Sequence, residues 1–304
     1  METAIILLRQ IVTMFIYMAI GWILFKTKLV TKEGSRSLAS LLLYVIIPCV
    51  IIKSFCTSAD ASLKTTILVS FGGGILALGL SILISHVLFH NRSMDDFGAA
   101  FSNAGFMGLP LISAALGDEA VIYVTGMIAI LNILQWTYGQ TILSHDKSNL
   151  SLKKVIFNPI VIAFLIGIVI FFGNLSLPAL IMDCMESISE LNAPLAMIVL
   201  GIYLGEVSLP SIFTDKHVWT CSLVRLLLIP LLTELVLFVL FPGRRDMAFA
   251  LVLAASAPVG ANLAVYAQKL NQDYTYAVKT ICLSTILSIC TMPFLTIVWE
   301  WLCR

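Results

Sequence analysis

Long apolar stretches, each closed by a short polar cluster, recur from one end of the chain to the other. Uncharged or nearly uncharged runs cover Ala4–Phe25, Ser37–Ile52, Thr65–Phe89, Phe97–Gly117 and Ala120–Leu143. A second set covers Val155–Phe172, Ile188–Gly205, His217–Phe241, Met247–Gln268 and Thr280–Trp299, the third of these interrupted by Arg225 and Glu234. A bilayer core needs about 20 apolar residues per helix at 1.5 Å rise. The pattern therefore predicts an all-α integral membrane protein of ten transmembrane helices, five in each half of the chain.

Composition removes the alternatives. Sixty per cent of the 304 residues are hydrophobic and 12% are charged, against roughly a quarter charged in a soluble domain. A net charge of +1, the absence of any basic run and the short connections exclude a nucleic-acid partner and leave no room for a globular soluble domain. The first apolar run has no basic leader or small-residue cleavage site, so it is expected to stay as the first helix. Seven cysteines lie scattered with no close pair at metal-ligand spacing and read as packing residues. No HExxH or GxSG-type motif is present and the four histidines are dispersed, so an enzyme, a metal and a cofactor are not expected.

Lys and Arg give an orientation. With the N-terminus outside, the odd-numbered connections hold eleven of the eighteen basic residues, including Lys26, Lys28, Lys32, Arg92, Lys147, Lys153 and Lys154, so both termini are expected outside.

The two halves share their punctuation. Pro48 in the second span answers Pro194 in the seventh, and Pro110 in the fourth answers Pro258 in the ninth, each of the latter pair within a segment rich in Gly, Ala and Asn. The expected units are residues 1–146, a cytoplasmic connection at 147–154, and residues 155–304. Five spans per half is an odd number, so the second half enters the membrane with opposite polarity, an inverted repeat of the kind transporters use.

The fourth span reads Phe101-Ser102-Asn103-Ala104-Gly105-Phe106-Met107-Gly108-Leu109-Pro110, and the ninth reads Ala257-Pro258-Val259-Gly260-Ala261-Asn262. Pro110 and Pro258 remove backbone donors while Gly105, Gly108 and Gly260 permit non-helical dihedrals, so both helices are expected to break near mid-span, each second half-helix starting at its proline. Non-helical backbone at that depth survives only where it is buried in protein or lines a cavity. The free N–H groups and positive ends of the second half-helices suit a carboxylate without a buried lysine. Asn103 and Asn262 add neutral amides, and Tyr266 a hydroxyl one turn further on, as candidate ligands for a substrate; the two asparagines read alternatively as caps or interhelical polar contacts.

The segments NAGFMGLP (Asn103–Pro110), APVGANLAVYAQ (Ala257–Gln268) and VRLLLIP (Val224–Pro230) resemble the auxin efflux carrier family of bacterial and plant permeases, over the whole chain. Asn158-Pro159 and Leu200–Gly205 fit the same resemblance. It implies the fold shared with bile-acid symporters and sodium–proton antiporters: two inverted halves, crossed broken helices four and nine at the site, and elevator-type exchange of access. Helices one, two, six and seven would form the scaffold, with a homodimer through them. The implied cargo is a small organic anion, a mono- or dicarboxylate, moved by a compact permease of the bacterial inner membrane. A carboxylate-binding sensor or a channel on the same fold is the rival reading.

The remaining polar residues carry smaller expectations. Arg225, about 13 Å into the eighth helix, is read as structural or as charge balance for the anion, and Glu234 falls on the opposite face. Asp183, Glu186 and Glu190 share one face of a helix before the seventh span, a solvated face or a cation-collecting vestibule. Thr280, Ser284, Ser288 and Thr291 share a face of the tenth span and either bond backbone carbonyls or help hold an ion. Sodium–proton antiporters place aspartates where this chain has Asn132 and Gln135, and amides do not exchange protons. Sodium or a proton as coupling ion stays open.

Overall fold

The computed structural model describes residues 2–56, 61–144 and 157–303. The connection at 147–154, with Lys147, Lys153 and Lys154, lies outside the described residues, as do His145 and Arg304. The described residues form helices α1 (Glu2–Lys26), α2 (Lys32–Leu41), α3 (Ile47–Phe55), α4 (Ala61–Phe89), α5 (Ser93–Ala100), α6 (Leu109–Leu116), α7 (Ile122–Leu134) and α8 (Gln140–Ser144). The second half adds α9 (Pro159–Phe172), α10 (Ala179–Ser189), α11 (Asn192–Glu206), α12 (Leu209–Ile212), α13 (Lys216–Leu223), α14 (Ile229–Leu240), α15 (Arg245–Ser256), α16 (Asn262–Lys269) and α17 (Tyr274–Leu302).

Among the described residues, seven helical stretches are long and apolar enough to cross a bilayer: Leu8–Lys26, Lys32–Phe55, Ser62–Phe89, Asp118–Ser144, Ala179–Glu206, Lys216–Leu240 and Tyr274–Leu302. They coincide with the first, second, third, fifth, seventh, eighth and tenth predicted runs. The other three runs fall short for visible reasons. The fourth and ninth are cut in two near their middles, and the described part of the sixth is the 14-residue helix α9. Side chains such as Ile16, Leu68, Leu83, Val169 and Val239 are more than half exposed, an outer surface suited to lipid.

Local sequence sets the helix ends. Thr31, Asn158, Asp215 and Asp273 each accept a backbone N–H of the first helical turn with a side-chain oxygen, filling donors that a helix start leaves open. Pro159 follows its cap at the first helical position, where a missing N–H costs nothing.

Three helices widen into a π turn just before a proline. The turns Leu42–Ile46, Ala104–Gly108 and Val224–Leu228 lead directly into Pro48, Pro110 and Pro230, each the second residue of the helix that follows. A proline ring strikes the carbonyl four residues back and offers it no N–H. One extra residue in the preceding turn moves that carbonyl aside and lets the helix continue.

Helix packing pairs the two halves. Helix α1 lies along α11, and α9 lies along α3. The first contact is close because it is made by glycine: a Cβ on Gly21 or Gly201 would run into the backbone of Ile198 or Met18, and one on Gly205 would meet the Phe25 ring. Gly201 and Gly205 stand four apart, the small-residue spacing that brings membrane helices together. Gly167 likewise receives the Phe55 ring. Helix α4 packs on α5 and α7, while α14 packs on α15 and α13 on α17.

Candidate functional site

The two interrupted spans meet. Helix α5 ends at Ala100, Phe101 is extended at φ −113°, ψ 111°, and the chain turns into the π turn only after Asn103. Helix α15 ends at Ser256, Ala257 is extended at φ −59°, ψ 148°, and α16 begins at Asn262. The unwound stretches pair antiparallel, Ser102 opposite Val259, in the isolated β-bridge found among the described residues. The Asn103 N–H donates to the Pro258 carbonyl at 2.7 Å and the Gly260 N–H to the Phe101 carbonyl at 3.0 Å. Each break thus supplies partners that the other has lost, which is how non-helical backbone is kept satisfied at this depth.

The expectation that each second half-helix starts at its proline is corrected. Pro258 sits inside the unwound stretch and α16 starts four residues later, at Asn262. In the fourth span the helix resumes at Ala104, and Pro110 lies six residues further on inside it. The cause is the π turn, which absorbs the proline so that the break falls instead at Phe101–Asn103. Gly105 and Gly108 are helical rather than hinge-like. A Cβ on Gly108 would stand 3.5 Å from the Ala254 Cα, an ordinary van der Waals contact.

A small cavity of about 30 Å³ lies at the crossing, lined among others by Ser102, Asn103, Gly105, Asn132, Gln135, Gly260 and Asn262. The Asn103 side-chain N–H₂ is buried and finds no hydrogen-bond partner among the described residues, and the same holds for the Ser102 hydroxyl. Asn262 Nδ2 donates to Gln135 Oε1 at 2.7 Å, and Asn132 Nδ2 returns to its own helix at the Ile128 carbonyl, 2.8 Å away. Among the described residues no charged side chain lines this cavity. The described side chains offer it unfilled donors and neutral amides.

Other predicted residues fall further off. Tyr266 is buried between Phe97 and Trp136, with ring centroids 5.5 and 5.6 Å away, and does not line the cavity. Ser284 acts from behind, its Oγ accepting the Val259 N–H at 3.1 Å. Ser288 donates to the Thr285 carbonyl at 2.6 Å and sits against Met107. Thr280 and Thr285 bond carbonyls four residues back. Arg225 finds its partners on neighbouring helices, the carbonyls of Ala99, Ala100 and Ala255. Glu234 is fully buried and both its oxygens lack a partner among the described residues.

A larger cavity, about 550 Å³, adjoins the crossing, lined by Lys53, Pro110, Ser113, Asp118, Glu119, Glu190 and Asn192 among others. Lys53 is held by Glu186 at 2.9 Å and by Asp118 at 3.5 Å. Of the three acids marked before the seventh span, Glu190 lines the cavity, Glu186 pairs with Lys53, and Asp183 stays at the surface. Asn192 lines the larger cavity and reaches Gly105, which lines the smaller one. Its Nδ2 donates to the Gly105 carbonyl at 3.3 Å while its Oδ1 is buried and unpaired. Asn192 and Ser102 were not legible as site residues. The only sequence signal was the neighbourhood of each, Asn192 two residues before Pro194 and Ser102 beside Asn103.

Comparison with known proteins points to membrane transport. A family model described as membrane transport protein matches residues 6–153 and 145–296. A Methanothermobacter thermautotrophicus protein named an uncharacterized transporter is 27% identical over 306 aligned residues, covering 95% of this chain and 97% of that protein. A Rhizobium meliloti protein provisionally named a malonate transporter is 23% identical over 277 residues, covering 86% and 85%. The chain belongs to the membrane transport protein family, that of the auxin efflux carriers.

Proposed function

We propose that this protein is a secondary transporter that carries a small organic anion, a mono- or dicarboxylate, across the bacterial inner membrane by elevator-type alternating access. The observation that carries the reading is the crossing itself. Two second half-helices begin beside one cavity, and that cavity holds the unpaired amide of Asn103 and no charged side chain. Helix N-termini and amide donors are the partners a carboxylate takes. The Rhizobium meliloti relative, by its name, fits a dicarboxylate.

The ten-span, inverted-repeat reading belongs to the same proposal, with units at 1–146 and 155–304 joined by 147–154. Its support is the order of elements and their packing. Each half has a helix–break–helix unit, and the contacts exchange symmetrically: the first span with the seventh, the sixth with the second, the third with the fourth and fifth, the eighth with the ninth and tenth. Spans one, two, six and seven then form the scaffold, and the rest move as the carrying body. At about 30 Å³ the crossing admits water but no dicarboxylate, so loading requires the scaffold side chains Leu43, Ile47 and Ile160 to withdraw.

The test is uptake and counterflow of labelled malonate in proteoliposomes. Asn103→Ala and Asn262→Ala are expected to lower transport at least about tenfold, the loss of roughly one charge-assisted hydrogen bond of 1.5–3 kcal/mol, while each variant inserts and purifies as the parent does. Unchanged transport in both would sink the site. Ion current without counterflow would make the protein a channel, and binding without flux a sensor.

A further inference from the structure

Arg225 belongs to the π turn between α13 and α14, and its side chain is 1% exposed. Nη1 donates to the Ala99 carbonyl at 2.8 Å and reaches that of Ala100 at 3.5 Å, while Nη2 donates to the carbonyl of Ala255. These acceptors lie at the last turns of α5 and α15, the first half-helices of the two broken spans. They are carbonyls left open because each helix stops there. Among the described residues no carboxylate stands within ion-pair distance of the guanidinium. A fully buried cation is therefore held by two helix ends alone.

The electrostatic sum explains why. Each helix C-terminus is equivalent to about half a negative charge and each N-terminus to about half a positive one. The crossing gathers two of each. Arg225 offsets the negative pair, whereas the positive pair, at Ala104 and Asn262, is left facing the small cavity. The planar fork of a guanidinium spans two acceptor groups at once, which an ammonium cannot do from one position.

We propose that Arg225 is a positioning residue that sets the charge preference of the crossing. By neutralising the C-terminal ends of both first half-helices it gives the cavity a net positive potential without touching the cargo, and it ties the two half-helices into one moving unit. This rests on the anion reading given above and names what makes the site select an anion.

The test compares malonate, which carries two charges at neutral pH, with malonamate, its singly charged amide, by calorimetry on protein in nanodiscs. In Arg225→Gln the affinity ratio of malonate to malonamate is expected to fall on the order of tenfold, and in Arg225→Lys to return most of the way to the parent value even where both ligands bind more weakly. Equal weakening of both ligands in Arg225→Gln, or an Arg225→Lys ratio no better than that of Arg225→Gln, would show a merely structural arginine and overturn the inference. Should Arg225→Gln fail to fold, the apolar variant Arg225→Met takes its place with the same expected fall and the same overturning result, and a tenfold fall of the ratio in Arg225→Lys refutes the inference without either. Asn103→Ala separates the two claims: if it leaves malonate binding unchanged, the anion site itself is misplaced, whereas a loss there with an unmoved ratio at Arg225 removes only the arginine's role.

Discussion

At the residue scale the two asparagines of the crossing are not equivalent. Asn262 is already bonded to Gln135, whereas the Asn103 amide nitrogen has no partner among the described residues. On the proposed anion reading a carboxylate meets a ready donor at Asn103 and must take Asn262 from Gln135 or share it. Gln135→Ala frees Asn262 and is expected to lower KM for transport about two- to threefold with little change in stability, since one interhelical hydrogen bond in a membrane is worth about 0.6 kcal/mol. An unchanged KM would mean that Asn262 serves the helix contact alone. Ser284→Ala differs in kind, because it leaves the buried Val259 N–H unsatisfied, at a cost of about 1–3 kcal/mol. Its expected signature is a lower melting temperature together with slower transport. The amides at 103 and 262 were legible in the sequence because they sit in Gly, Ala and Pro surroundings where a polar group has no local reason to be. Tyr266 had the same setting, and only packing against Phe97 and Trp136 shows that it turns away.

At the element scale the proline acts at a distance from the break. In the fourth span Pro110 widens the turn Ala104–Gly108, and the chain leaves the helix before that turn. Pro110→Ala removes the clash that holds the π turn open, so the turn is expected to relax toward α geometry and rotate Asn103 relative to Asn262. Transport should fall markedly while thermal stability stays level or rises. Pro258→Ala acts directly, on the unwound stretch whose carbonyl accepts the Asn103 N–H. Full activity in both variants would argue against functional breaks. The glycine contact of α1 with α11 gives a control of the opposite kind. Gly201→Leu places side-chain atoms into the Met18 backbone and is expected to destabilise the protein by about 1–3 kcal/mol or more, measured as a drop in melting temperature, with no selective effect on KM.

At the scale of the whole molecule, the basic residues predict both termini outside. Alkaline phosphatase fused to either end of the chain is expected to be active, and activity at one end alone would contradict an even number of spans. In that orientation the 550 Å³ cavity faces outward, and the opposite face carries Lys32 bonded to Glu206 at 3.0 Å and lying 3.8 Å from the centre of the Tyr274 ring. The sequence by itself determined that this chain lives in a bilayer, because hydrophobic run length answers to membrane thickness and needs no knowledge of contacts. It also determined which spans are interrupted, because proline, glycine and asparagine act on their own backbone. Tertiary structure alone decided where each break falls, that Arg225 answers two helix ends rather than a carboxylate, and that Asn192 bonds the carbonyl of Gly105 from the wall of the larger cavity. Those outcomes depend on which carbonyls and donors from distant parts of the chain arrive unpaired at the same place, and residue spacing along one helix carries no record of that.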